Sequence, residues 1–202
     1  MRLTRRHLMA TGASLPLAAA LPRWSLADIS LGDATVTTVS DGNLVLPGDF
    51  IFEQMPQDEL LPILDAAGQS RGEVRPECNL TLYRDGTNTV LFDAGAGPNF
   101  MPSAGTLPAS LEAAGLAPED ITHVVFTHAH PDHIWGILDD FGDLLFPQAV
   151  YMMGRAEWAY WWDPETVNTI GAERAAFAVG AKNRLEAIED AVAFFDDGEE
   201  VL

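Results

Sequence analysis

The stretch His128-Ala129-His130-Pro131-Asp132-His133 decides how this chain is read. Three of the five histidines fall inside these six residues, and a fourth, His123, lies just upstream. The stretch follows a run with strand character, Ile121-Thr122-His123-Val124-Val125-Phe126-Thr127. In an extended segment residues i and i+2 point the same way, so His128 and His130 can hold one cation between them. Once the backbone turns at Pro131, Asp132 and His133 can face a second cation beside the first. Imidazole nitrogen with carboxylate oxygen suits zinc, and also manganese or iron. Two such ions side by side can hold a hydroxide between them at neutral pH.

A lone histidine is more often a satisfied structural residue than a ligand. Three histidines and an aspartate packed this tightly are different. The rings would repel one another when protonated, and the group would be costly to bury without a partner. The metal reading therefore outweighs that of a solvated polar loop. His123 alternates with Val124 and Phe126 along the strand and reads as structural. His7 lies in a segment expected to be removed.

With the strand before it, H-x-H-x-D-H resembles the signature of the metallo-β-lactamase-fold hydrolases. Leu91-Phe92-Asp93-Ala94-Gly95-Ala96-Gly97 resembles the D-x-G turn that those proteins carry at a strand end near the metals. Leu107-Pro108-Ala109-Ser110-Leu111-Glu112-Ala113-Ala114-Gly115 is similar to the helix that follows it, and Pro118-Glu119-Asp120 leads into the metal strand in the family's order. The resemblance runs from about Asp33 to the C-terminus. In texture it is closest to the lactonase and methyl-parathion-hydrolase subgroup.

The resemblance implies an α/β fold, the αββα sandwich of the family, of which this chain would supply the N-terminal half and the metal loop. It implies a binuclear, zinc-type hydrolase cleaving an ester, lactone or organophosphate bond by metal-bound hydroxide. His128 and His130 would hold the first Zn2+ and Asp132 and His133 the second, with Mn2+ or Fe2+ as other occupants. Asp132 would also orient the hydroxide, and Asp93 would buttress the histidine loop from behind. The alternatives are a glyoxalase-II-like thioesterase, an iron-using redox member of the fold, and an inactive metal-binding fragment.

Two departures from the family pattern stand out. Many members carry a glycine pair one residue after the last histidine of the motif, where this chain has Trp135-Gly136. Trp135 either lines the site mouth or packs beneath it. The family also needs a third ligand for the first metal, a bridging aspartate and a final histidine, and no histidine follows His133. Phe194-Phe195-Asp196-Asp197 resembles the strand before the family's second histidine motif, so the chain is expected to be truncated at its C-terminus. Asp139, Asp140, Asp143 and Asp163 do not sit where the bridging aspartate would, and read as solvated surface residues.

The N-terminus has the three parts of an export signal. Thr4-Arg5-Arg6-His7-Leu8-Met9 matches a twin-arginine signature, an uncharged, weakly apolar stretch follows, and Ser25-Leu26-Ala27 is a small-x-small cleavage site. Gly12 and Pro16 interrupt a stretch already too short to span a bilayer. The expected organisation is a signal peptide over residues 1–27 and one domain over 28–202, with a periplasmic or secreted destination. The formal charge is −19, and removing the signal takes away arginines and no acids. That balance argues against nucleic acid and against anionic membrane surfaces, and leaves a small-molecule substrate as the expected partner. A hydrophobic content of 48% is enough for one real core. Cys78, the single cysteine, reads as a small buried hydrophobe at a strand start.

Periodicity and turn residues predict strands at 34–40, 80–83, 89–92 and 149–153, with 84–88 as a hairpin turn. They predict a turn at Asp41-Gly42-Asn43 with a return strand at 44–46. Helices are predicted at 58–67, 107–114 and from Arg155 to Trp162, with a long one over 170–192. The aromatic cluster Trp158, Tyr160, Trp161 and Trp162 has the spacing of a helix face packed on the sheet, which outweighs its reading as a pocket wall. Phe50, after Pro47-Gly48, is read as a substrate lid or a buried anchor.

Overall fold

A computed structural model describes residues 28–202. The expected signal segment, residues 1–27, lies outside the described residues. In chain order the strands are β1 (Asp28–Leu31), β2 (Ala34–Asn43), β3 (Leu46–Pro47), β4 (Glu73–Val74), β5 (Glu77–Arg84), β6 (Thr89–Phe92), β7 (His123–Phe126), β8 (Val150–Gly154) and β9 (Val192–Phe195). The helices are α1 (Gly48–Phe52), α2 (Gln57–Ala67), α3 (Leu107–Ala113), α4 (Pro131–Ile134), α5 (Arg155–Trp162), α6 (Thr166–Thr169) and α7 (Ala175–Ile188).

Seven strands form one mixed sheet in the order β1-β2-β5-β6-β7-β8-β9, and β3 pairs with β4 beside it. The first four strands of that order are antiparallel neighbours, and β6 through β9 run parallel. The parallel half needs crossover helices, and the chain supplies α3, then α5 to α7, between those strands. Register aligns Leu82, Leu91, Val124, Tyr151 and Val192 across one face. Because side chains alternate, Val39, Leu80, Phe126 and Met153 share that face. These residues form one core with Leu107 and Leu111 of α3, Trp161 of α5, and Ala178, Ala181, Leu185 and Ile188 of α7. The helices thus cover one face of the sheet. On the opposite face Val90 and Val125 are buried, whereas Val36, Tyr83, Phe92 and Met152 are half-buried and Val150 is exposed. The α/β reading holds, with one sheet and its helix layer among the described residues.

The hairpin at 84–89 forms as its turn residues predict. Gly86 takes φ 88 and the Asp85 carboxylate accepts the Thr87 and Asn88 amides at 2.9 and 2.6 Å. Two expectations are corrected. Asp41-Gly42-Asn43 is no turn: β2 continues to Asn43 through a register shift between Ser40 and Asn43. That shift is a bulge, and it points Asp41 inward, where it is 1% exposed. Its carboxylate accepts the amides of Ala96 (2.8 Å), Gly97 (3.1 Å) and Leu107 (2.9 Å), binding the loop after β6 to the start of α3. The long helix over 170–192 is also shorter than expected. A 3-10 turn at Ala172–Arg174 precedes α7, which ends at Ile188, and Val192 begins β9. The buried face of α7 is Ala178, Ala181, Leu185 and Ile188, with Ala176 and Val179 outside it and exposed.

Candidate metal centre

β7 delivers the histidine stretch to the edge where the parallel strands end. Phe126 is the last strand residue, Thr127 and His128 leave the sheet, and His130 precedes the single turn α4 with Pro131 in its first position. Proline fits there because the first helical residue has no intrahelical acceptor for its N–H. Asp132 and His133 follow on that turn. All four expected ligands therefore sit on one loop.

Asp93 organises the loop from the end of β6. It adopts φ 65, unusual for a residue with a side chain, and is 8% exposed. Asp93 Oδ1 accepts the Thr127 amide at 2.7 Å, and Asp93 Oδ2 accepts the Thr127 hydroxyl at 2.8 Å. His133 Nδ1 donates to Asp93 Oδ2 at 2.8 Å. The Thr127 hydroxyl, having given its proton to Asp93, accepts from His128 Nδ1 at 3.0 Å. These bonds engage Nδ1 of both rings and leave Nε2 as the nitrogen that can take a metal, in His133 once its second proton is displaced. The expected buttress role of Asp93 has the geometry it needs.

The free atoms face one another in two pairs. His128 Nε2 lies 3.0 Å from His130 Nδ1, and His133 Nε2 lies 3.3 Å from Asp132 Oδ2. Two donors on one tetrahedral zinc, each about 2.0–2.1 Å from it, stand roughly 3.3 Å apart. The donor chemistry and spacing fit the ion that the sequence implies, two donors to each position. The rings of His128 and His133 have centroids 3.9 Å apart, so the pairs are adjacent. Among the described residues, no three His, Cys, Asp or Glu side chains already stand together as a complete coordination set.

The charge state follows from these contacts. Burial, then the neighbouring histidines, holds His128 below its ordinary pKa, and burial does the same for His130. Both rings are thus held neutral, the form that binds metal. Burial also opposes charge on His133, but its bonds to Asp132 and Asp93 prevail and lift it to about 9. Asp132 is pushed up by burial, yet the His133 bond and charge hold it below the usual carboxylate value. Without metal, His133 is an imidazolium between two carboxylates, a cation where a cation is expected.

Sequence reasoning missed Glu157. Its Oε1 accepts the Ala129 amide, between the two histidines of the first pair, at 2.9 Å, and also the indole N–H of Trp161. No local pattern marks it, because its partner lies 28 residues away. Trp161 also stands edge-on to His130 at 5.6 Å. Trp158 stacks on Trp162 at 5.0 Å and meets Phe194 edge-on, so most of the aromatic cluster packs as helix spacing implied. Trp135 lies between Phe100 (5.2 Å), the Arg184 guanidinium (4.6 Å) and Gly180, and is absent from the cavity beside the ligands. Gly136 is needed beside it, since a Cβ there would stand 2.0 Å from the Ala94 carbonyl oxygen. Asp139 accepts the Phe141 and Asp143 amides and Asp163 the Glu165 amide, each within its own local turn. His123 faces the sheet side opposite Val124, and its ring Nδ1 meets the Thr122 hydroxyl.

A cavity of about 170 Å³ opens beside His130 and Asp132. Leu44, Leu46, Phe50, Phe100 and Phe177 line it, with Pro131 and Arg174. Phe50, on α1 and 45% exposed, is therefore a cavity-wall residue and no buried anchor.

Comparison with known proteins agrees with this architecture. The Metallo-beta-lactamase superfamily model matches residues 75–165, a span holding β5, the Asp93 turn, the histidine loop and Glu157. A mouse protein, Metallo-beta-lactamase domain-containing protein 1, is 39% identical over 76 residues, covering 35% of this chain and 26% of that protein. Among solved structures, AidC, described as a dizinc quorum-quenching lactonase, superposes with TM-score 0.77 at 24% identity over 87% of this chain and 63% of its own. The hydrolase AbOPH of the beta-lactamase superfamily gives 0.76 at 26% identity, covering 87% and 62%. A probable metal-dependent hydrolase from Staphylococcus aureus gives 0.67 at 20%, covering 86% and 63%. The chain thus spans under two thirds of the length of each of these proteins. Residues 75–165 thus resemble the metallo-beta-lactamase superfamily, and hydrolases are among the solved structures that share this fold.

Proposed function

We propose that this domain is a binuclear, zinc-type hydrolase acting on an ester, lactone or organophosphate. The observation that carries the reading is the pairing of free ligand atoms, His128 Nε2 with His130 Nδ1 and Asp132 Oδ2 with His133 Nε2, at 3.0 and 3.3 Å. Zinc, or manganese or iron in its place, would supply an acidified water and polarise the oxygen under attack. The protein's part is positional. Thr127 and Asp93 lock the rings of His128 and His133, and Glu157 holds the backbone between His128 and His130. Asp132 directs one oxygen to His133 and orients the attacking water. Phe50, Phe100 and Phe177 receive the apolar part of the substrate and keep bulk water from the reacting bond. A periplasmic or secreted setting, reached by twin-arginine export, belongs to the same proposal.

One observation favours a second reading, a metal-binding chain without turnover: each ligand pair lacks a third donor among the described residues, and a catalytic zinc typically has three protein ligands plus water. Hydrolysis of an aryl ester and a γ-lactone by the purified chain, with zinc or manganese added, tests both. Turnover abolished by His128→Ala supports the hydrolase. Zinc binding with no turnover supports the second reading, and turnover that survives His128→Ala overturns the site assignment.

A further inference from the structure

Arg174 is the one cationic side chain lining the cavity beside His130 and Asp132. It ends the 3-10 turn before α7, its amide bonding the Gly171 carbonyl at 3.0 Å. Phe177, one helical turn on, lies on the same side and lines the same cavity. The other cations of this region are engaged. Arg155 pairs with Asp196 and lies over Phe194, Lys182 pairs with Glu186 and lies over Trp162, and Arg184 lies over Trp135. Arg174 has no carboxylate within ion-pair distance among the described residues, Asp132 included. Arg71, Arg84 and Arg184 also lack a carboxylate partner among the described residues, but Arg174, exposed at the rim, is the one that lines the cavity beside the histidine loop.

We infer that Arg174 makes this cavity selective for small molecules that carry a carboxylate on an apolar body. The inference rests on the hydrolase reading for its meaning, since such a molecule would be the substrate presented to His130 and Asp132. A guanidinium offers a planar fork of donors that matches a carboxylate, and the phenylalanine and leucine walls weaken competition from water. The leucines and phenylalanines hold the hydrocarbon, and Arg174 sets its direction. Elsewhere the acidic surface repels anions, so the preference depends on this side chain.

The test uses the full chain stripped of metal by chelator dialysis, so that no ion can bind the carboxylate. Hexanoate and hexanamide, close in shape and different in charge, are titrated while tryptophan fluorescence is followed. Hexanoate is expected to bind about tenfold more tightly than hexanamide, the order of one charge-assisted fork in a partly wet site. Arg174→Gln should bring the two ligands within about twofold of each other, and Arg174→Lys should restore part of the difference. Equal binding of the two by the natural chain, no binding of either, or a preference that survives Arg174→Gln would each overturn the inference. Circular dichroism of the variants separates a lost site from a lost fold. A carboxylate preference in a chain that neither binds zinc nor turns over esters would sink the hydrolase reading and leave the carboxylate site standing.

Discussion

His133 Nδ1 donates to Asp93 Oδ2 at 2.8 Å, across 40 residues of sequence, and Asp93 holds Thr127 through both carboxylate oxygens. One aspartate thereby fixes the ring of the last histidine and the strand exit that launches the first.

Asp93→Asn tests this arrangement. Asparagine tolerates the left-handed backbone at φ 65, so the turn should survive. The amide cannot accept from Thr127 and His133 as the carboxylate does. Zinc affinity should fall about 10–100-fold, the usual cost of losing an outer partner of a ligand, with the thermal midpoint little changed. Competition with a chromogenic chelator measures the affinity, and unchanged affinity would show that Asp93 does not hold the loop for metal.

The metal-free chain should lose stability as pH rises through about 9. His133 has a folded pKa near 9 against an ordinary 6.5, held up against burial by Asp132 and Asp93. Its pKa is raised on folding, so its contribution is complete below 6.5 and disappears as the pH passes 9. The loss is at most on the order of 3 kcal/mol, since one unit is worth about 1.4 kcal/mol. Urea midpoints from pH 6 to 10 measure it. Saturating zinc, which displaces that proton, should remove this dependence, and a metal-free midpoint that rises over the same range would contradict the assignment.

Asp41→Ala should destabilise the chain by about 3 kcal/mol or more, because it leaves the Ala96, Gly97 and Leu107 amides unpaired in a buried place. Burial outweighs those bonds enough to raise the Asp41 pKa, yet the side chain still ties two loops together. Urea denaturation reports the change; a loss under about 0.5 kcal/mol, the size of an ordinary surface substitution, would show that those amides find other partners.

Cys78 should resist alkylation in the folded chain at pH 8. It is 8% exposed, and burial, aided by Asp132, Asp41 and Glu77, pushes its thiol up to about 12. Iodoacetamide labelling followed by mass measurement should show modification only after denaturant is added. Rapid labelling of the folded chain would show that β5 opens at its start.

What could be read from the sequence was local. The histidine stretch, the Asp85-Gly86 hairpin and the helix stopped by Gly68 (φ 64) each carry their own turn chemistry. The end of α7 does not. Ile188 and Val192 keep helical spacing, and Glu189-Asp190-Ala191 contains no glycine or proline, so pairing of Val192 with Tyr151 of β8 decides the break. Asp41-Gly42 looks like a hairpin turn because that dipeptide usually is one. Its actual role depends on amides 55 to 66 residues away. Glu157 and Arg174 were unreadable for the same reason, since only the fold brings them to the histidine loop.

The central claim is that His128, His130, Asp132 and His133 hold divalent metal. Zinc bound per chain, measured after equilibrium dialysis at pH 7.5 for the natural chain and for each of the four alanine variants, tests it most directly. Specific zinc binding that weakens at least tenfold in every variant, with circular dichroism unchanged, is the predicted result. An absence of zinc from the natural chain, or equal binding by all four variants, would contradict it.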